Sequence, residues 1–370
     1  MQAQTPADYR IASLDVIAYT VPTSTPEESD GTAVWSSTTM VLVEITVGSI
    51  HGLGYTYANT ATAEFIRASL ADIVVGRDIR HHGALHAELT GSVRNMGRDG
   101  IAAMAVSAID NALWDTRAKL AGLPLAAMLG MVRERVPVYG SGGFTSYTID
   151  QLQHQLAGWI GEGIPQVKMK IGRDAGADLG RVAAARKAIG DGAKLFVDAN
   201  GAYVRKEALR VADSIGAASG VSWFEEPVYH RDFEGLALVR DRAPAIMEIS
   251  AGEYGYEPQW FRWLIERGCV DVVQADATRC GGFTNFLAAD ALCDASFVPL
   301  SSHCAPTLHV HVGCAAKRMR HIEYFHDHIR IERMFFDGVP AVVDGCMAPD
   351  LTRPGIGLEL KRADAEPYRV

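Results

Sequence analysis

Leu195-Phe196-Val197-Asp198-Ala199-Asn200 is a short apolar run that breaks abruptly into a carboxylate. A few consecutive apolar residues between polar ones suit a strand buried on both faces. The pattern recurs in both directions. Upstream lie residues 136–139 and Gln166-Val167-Lys168-Met169-Lys170; downstream lie residues 222–225, 246–249, 270–274, 298–301 and 321–324. The segments stand about 22 to 31 residues apart, which is one strand plus one crossover helix. Such units in long series favour a (β/α) barrel over an open doubly wound sheet. The sequence has no Gly-x-Gly-x-x-Gly run and no Walker loop, which weakens a nucleotide-binding alternative.

The first 130 residues have a different rhythm. Val41, Val43 and Ile45 repeat at a period of two, Gly48-Ser49 marks a turn, and residues 52–57 offer another strand. Residues 22–37 are rich in Pro, Ser, Thr, Glu and Gly, a loop long enough to suggest function or mobility. From Ala102 to Leu120 the period becomes helical, with Val106, Ile109, Leu113 and Leu120 on one stripe, Gly122 at the stop and Pro124 beyond it. The predicted organisation is an α+β domain over 1–130, a barrel over 131–337 and a turn-rich tail over 338–370 that returns to the first domain.

Composition excludes several classes. The chain has 370 residues, 48% hydrophobic and 21% charged, with net charge −9. That is ordinary globular composition and lacks the basic balance of a nucleic-acid binder. No stretch approaches the ~18–20 apolar residues of a membrane span, and residues 1–10 hold no apolar leader core. The six cysteines all fall after residue 268 and form no Cys-x-x-Cys pair. A cytoplasmic protein with reduced thiols is expected, without nucleic-acid or membrane partners.

Barrel enzymes carry their chemistry at the C-terminal ends of the strands. Here those ends read Lys168-Met169-Lys170, Asp198-Ala199-Asn200, Glu225-Glu226-Pro227, Gly252-Glu253, Asp276, Ser301-Ser302-His303 and Glu323. Asp198, Glu225 and Glu253 recur at 27 and 28 residues, so a barrel brings them side by side on one rim. Converging carboxylates repel unless a cation sits among them. Oxygen ligands without Cys or His favour Mg²⁺, with Mn²⁺ as the alternative; the bland reading is solvated or wall-paired loop acids. Lys168 and Lys170 are two apart and share a face. Their repulsion is expected to lower one lysine's pKa, which suits a general base; otherwise they are snorkelling surface lysines. Asp276 on the neighbouring strand end can hold the His303 imidazole in one tautomer. Glu323 is placed to hydrogen-bond on the far side of a bound carboxylate. Tyr55, Tyr57 and Trp35 either line a pocket or simply pack. His81, His82, His86, His309, His311, His326 and His328 read as helix-surface or loop residues.

Taken as an ordered set, these strand ends resemble the enolase superfamily, specifically its mandelate racemase branch. Gly281-Gly282 after Asp276, Trp223-Phe224 before Glu225, and Ser107-Ala108-Ile109-Asp110-Asn111-Ala112-Leu113-Trp114-Asp115 upstream add to the likeness, which covers nearly the whole chain. The resemblance implies a modified TIM barrel, (β/α)7β, with an N-terminal α+β capping domain completed by the C-terminal tail. It implies one Mg²⁺ on Asp198, Glu225 and Glu253, and Lys170 as base on one substrate face with Lys168 tuning it. His303, oriented by Asp276, would act on the opposite face, while Asn200 and Glu323 would contact the substrate. It also implies a homo-oligomer, and a cap whose residues 22–37 and 55–57 select a small-molecule carboxylate substrate.

The chemistry expected is removal of the weakly acidic proton α to a carboxylate, giving an ene-diolate that a divalent ion and a hydrogen-bond donor stabilise. If a β-hydroxyl then leaves, the product is a 2-keto-3-deoxy acid. The polar cap loop and the hydroxyls of Tyr55 and Tyr57 favour such a sugar-acid dehydratase. A racemase, epimerase or lactone cycloisomerase uses the same groups. A non-catalytic sugar-acid binder is the remaining reading, and Lys170 opposite His303 speaks against it.

Overall fold

The computed structural model describes residues 9–370; residues 1–8, most of the polar segment that argued against a leader, lie outside them. The cap is built on an antiparallel sheet of β1 (Ser13–Pro22), β2 (Ser37–Val47) and β3 (Ile50–Tyr57) in the order β1-β2-β3. Helix α1 (Ile101–Leu120) covers one face. Val41, Val43 and Ile45 pack there with Val106, Ile109 and Leu113. Met40 and Leu42 point the other way and join the barrel-side core, so β2 is a wall buried on both sides. The stretch between β1 and β2 holds a small hairpin, Glu28–Ser29 against Val34–Trp35. At its tip a Cβ on Gly31 would stand 2.4 Å from the Ala199 carbonyl oxygen and 2.7 Å from that of Ile171. Only a residue without a side chain lets this loop press onto the barrel strand ends.

The barrel strands are β4 (Val136–Gly142), β5 (Gln166–Lys170), β6 (Lys194–Asp198), β7 (Val221–Glu225), β8 (Glu248–Ala251), β9 (Val272–Ala275), β10 (Leu300–Ser302) and β11 (Met319–Phe325). They pair in chain order, all parallel, and β11 closes on β4 with Glu323 opposite Tyr139. Helices α2 (Ile149–Gly161), α3 (Ala175–Ile189), α4 (Arg205–Ser219), α5 (Phe233–Arg242), α6 (Pro258–Glu266), α7 (Gly282–Ala295) and α8 (Pro306–Ala315) make the crossovers; α9 (His326–Phe335) follows β11. Strands β8, β9 and β10 begin two residues later than the apolar runs suggest. Ile246, for one, is 57% exposed and belongs to the approach to its strand. Tyr139, Phe196, Trp223 and Val272 form one apolar cluster, with the His321 ring against Tyr139.

The tail first pairs Met347 with Val136 at the start of β4. It then reaches the cap, where the Leu125 amide donates to the Gly355 carbonyl at 2.7 Å and the Val370 amide to Ala18 at 3.0 Å. Buried Asp115 on α1 ties the two, accepting from the amides of Leu53 and Ile356, each at 2.7 Å. Among the described residues no helix is long and apolar enough to cross a membrane.

Candidate active site

Register places the charges. Lys170 lies opposite Asp198, Asp198 opposite Glu225, and Glu225 opposite Ser250 on successive strands. One oxygen each from Asp198, Glu225 and Glu253 falls within 4.8 Å of the others, all three residues being buried. Glu225 Oε1 is buried with no hydrogen-bond partner, and Glu253 Oε2 is buried with only the His303 ring 3.3 Å away, an arrangement that is costly unless a cation or proton occupies it. All donors are carboxylate oxygens, so the set fits a hard divalent ion such as Mg²⁺. Burial and the Asp198 charge push Glu225 well above the usual carboxylate range. Asp198, despite burial, is drawn down by Lys170 and Lys168.

The two lysines are wired into this cluster. Lys168 is fully buried; its Nζ lies 2.6 Å from Glu225 Oε2, 2.8 Å from Glu323 Oε1 and 3.6 Å from Asp198 Oδ2. Lys170 Nζ lies 2.5 Å from Asp198 Oδ2. The expected fall in a lysine pKa is reversed. Burial does pull both ammoniums down, but Glu225, Glu323 and Asp198 around Lys168, and Asp198 beside Lys170, raise both above the ordinary lysine value. At Lys170 the repulsion from Lys168 ranks below the Asp198 charge.

His303 follows β10. Its Nδ1 lies 2.8 Å from Asp276 Oδ2 and its Nε2 3.3 Å from Glu253 Oε2. Asp276 is held below the usual carboxylate range: burial opposes ionisation, but the His303 hydrogen bond and charge outweigh it. Buried Glu323 accepts from Ser141 Oγ at 2.6 Å and from the Cys304 amide at 2.8 Å. Cys304 and Ala305 presenting that amide have φ of +52° and +39°, a strained turn that the surrounding contacts must hold. Asn200, also at positive φ, donates its amide to Asp198 Oδ1, and its side-chain Oδ1 is a buried atom without a partner.

A cavity of about 470 Å³ opens over these groups, with Lys170, Asn200, Glu253, Asp276, His303 and Glu323 on its barrel side. Asp30, Trp35, Thr38, Tyr57 and Asn59 close it from the cap. Trp35 Nε1 donates to Asp327 Oδ2 at 3.2 Å. Tyr55 does not reach the cavity: it is 0% exposed and donates to Glu332 Oε1 at 2.8 Å. Its assignment as a substrate contact is corrected to one in the cap–barrel seam. The cavity also takes Thr278, Arg279, Cys304 and Asp327, none singled out from sequence. They sit in loops or at a helix start, where no periodicity marks them; for Arg279 the position three after Asp276 was the one available signal.

The extra histidines are mostly not surface residues. His82, His86, His309, His311 and His328 are buried. His309 Nδ1 donates to the Cys304 carbonyl at 2.8 Å while its Nε2 accepts from the Ala277 amide at 2.9 Å, so it braces the two loops that carry His303 and Asp276. His82 lies 2.7 Å from Asp110. Asp110 in turn accepts from the Thr284 amide at 3.0 Å. A Cβ on Gly282 would come within 2.2 Å of that carboxylate, which explains a glycine here.

Comparison with known proteins agrees with this architecture. Residues 14–130 match the mandelate racemase/muconate lactonizing enzyme N-terminal domain, and residues 151–365 the enolase C-terminal domain-like family. L-talarate/galactarate dehydratase of Salmonella typhimurium is 34% identical over 279 residues, 74% of this chain and 69% of that protein. 3,6-Anhydro-alpha-L-galactonate cycloisomerase of Streptomyces coelicolor is 31% identical over 94% of this chain and 95% of its own length. A mandelate racemase/muconate lactonizing enzyme-like protein from Rubrobacter xylanophilus superposes with TM-score 0.95 at 50% identity, covering 98% of this chain and all of that one. A racemase from Streptomyces coelicolor A3(2), solved with bound magnesium, gives 0.91 at 28% identity over 97% of this chain and all of that one. Cap and barrel together therefore identify the chain as an enzyme of the mandelate racemase/muconate lactonizing enzyme family within the enolase superfamily.

Proposed function

We propose that this enzyme abstracts the proton α to a carboxylate and dehydrates a sugar acid to a 2-keto-3-deoxy acid. The observation that carries the reading is the meeting of Lys170 and the Asp276-held His303 in one cavity beside three buried carboxylates. A divalent cation held by Asp198, Glu225 and Glu253 would take up their charge, relax the hold of Asp198 on Lys170, and stabilise negative charge growing on the substrate carboxylate. Lys170, once neutral, takes the α-proton. His303, its Nδ1 engaged by Asp276, presents Nε2 to the cavity and hands a proton to the departing β-hydroxyl, which leaves as water. Glu323, fixed by Ser141 and the Cys304 amide, and Asn200 orient the substrate. Trp35 and Tyr57 close the cavity and exclude water.

A second reading has support: the cycloisomerase relative aligns over 95% of its length, and ring opening of a lactone or anhydro sugar uses the same acid and base. The test is a screen of sugar acids with Mg²⁺, reading 2-keto-3-deoxy product as its semicarbazone, with α-deuterium uptake from D₂O read in parallel. Product from a sugar acid is expected. Deuterium uptake without product replaces dehydration by epimerisation or cycloisomerisation, and silence in both readouts overturns proton abstraction on sugar acids.

A further inference from the structure

The two walls of the cavity differ in charge. The barrel side carries Lys170 and Arg279, and both are committed: Lys170 to Asp198, and Arg279 to Glu253 Oε1 at 3.4 Å and Asp276 Oδ2 at 3.7 Å. The cap side carries Asp30 and, where α9 meets the cap, Asp327. Among the described residues lining that side there is no lysine or arginine. His328 supplies no charge either. Its ring stacks on Tyr57 with centroids 3.4 Å apart, its Nδ1 accepts from the Ala305 amide, and burial and then His303 hold it well below the usual histidine range.

Asp327 adds a specific feature. Its Oδ2 accepts from Trp35 Nε1 and Thr38 Oγ1, each at 3.2 Å. Glu28 stands beside it, 0% exposed; burial, then the Asp327 charge and a side-chain hydrogen bond between the two carboxyls, push Glu28 up to about 8. The cap wall thus carries two acids and no lysine or arginine, beside the neutral side chains of Ser37, Thr38, Thr39 and Asn59.

We infer that the substrate is a sugar monoacid whose uncharged, hydroxylated end faces Asp30 and Asp327, and that this acidic wall rejects diacids. The inference rests on the proposed reading, in which the reacting carboxylate lies on the barrel side beside Lys170 and His303. The opposite end of a sugar chain then faces the cap. A second carboxylate there would be desolvated against Asp327 and Asp30 with no cation to pair with. A hydroxyl there carries no charge and can donate to Asp30.

The experiment compares matched aldonates and aldarates of the same sugar configuration with the Mg²⁺-loaded enzyme, reading both keto-deoxy product and α-deuterium uptake. Aldonates are expected to exceed aldarates in kcat/KM by at least about tenfold. Asp327→Asn, which keeps an acceptor for Trp35 and Thr38, is expected to shrink that ratio, as is Asp30→Asn. Equal or better turnover of aldarates by the wild type overturns the inference while leaving dehydration intact. Deuterium uptake confined to aldonates, without product, supports the inference and overturns dehydration. Inertness towards both series overturns both. If a variant fails to fold, the wild-type ratio decides alone.

Discussion

Two sets of buried acids lie a short way apart in this protein and behave as opposites. At the barrel mouth, Asp198 and Glu225 face lysines, Glu253 faces Arg279 and His303, and Glu225 Oε1 is left without a partner. In the seam between cap and barrel, Glu332 faces neutral donors only. Its Oε1 accepts from Tyr55 and Tyr57 at 2.8 and 3.5 Å, and its Oε2 from Thr307 Oγ1 and the Thr307 amide at 2.5 and 3.2 Å. The mouth is strained and underfilled, so a ligand can change its energy. The seam is satisfied, so it fixes geometry. Buried acidity alone does not separate function from structure; the unpartnered oxygen does.

The largest effect that would break this contrast is at Lys170. Lys170→Ala should lower kcat by about 10²–10⁴-fold, the usual contribution of a positioned base. Mg²⁺ affinity should hold or improve, because Asp198 loses a competitor. Steady-state rates alongside a calorimetric Mg²⁺ titration check both, and wild-type turnover would remove Lys170 from the mechanism.

The seam should answer to pH where the mouth answers to metal. Burial raises Glu332 to about 7, its donors holding it no lower. An unfolded glutamate ionises near 4.5. Between those values the folded chain binds the proton more tightly, so stability present below about pH 4.5 is lost as pH rises to about 7. The loss from this group is at most about 3 kcal/mol. Thermal melts should show that decline, and Glu332→Gln should flatten part of it; an unchanged slope would mean Glu332 ionises freely in the fold. At the mouth, Mg²⁺ at a hundred times its Kd should add about 2.7 kcal/mol of stability. Glu225→Gln should lose most of that increment and Glu332→Gln none. Equal increments in the two variants would dissolve the distinction.

The mouth was readable from sequence and the seam was not, for a physical reason. Each mouth residue ends a strand, and strands recur once per crossover unit, so Asp198, Glu225, Glu253 and His303 announce themselves by spacing. Glu332 lies on the exit helix of the barrel, and its partner Tyr55 is 277 residues away, a pairing that no local period encodes. Strand starts slipped by two where Ile246, Val270 and Val298 extend the apolar run ahead of the paired residues. The direction of the lysine shift is not legible locally: the pair Lys168/Lys170 is visible in one pentapeptide, whereas the carboxylates that outweigh their repulsion arrive from three other strands. Loop residues such as Arg279 and Cys304 carry no period at all.

Tyr55 is the sharpest small test of where the two regions divide. Tyr55 and Tyr57 share one face of β3, so alternation treats them alike. They differ by two residues of rise, roughly 7 Å along the strand. That step leaves Tyr57 at the cavity and Tyr55 in the seam, stacked on Phe336 at 5.4 Å. Tyr55→Phe keeps the ring and its packing and deletes one donor to Glu332. The expected cost is about 1 kcal/mol of stability, a shift of a few degrees in Tm at most, with KM and kcat unchanged. A rise in KM without loss of Tm would return Tyr55 to the substrate side. A loss of Tm alone places the boundary between cap contact and substrate contact within the two-residue step from Tyr55 to Tyr57.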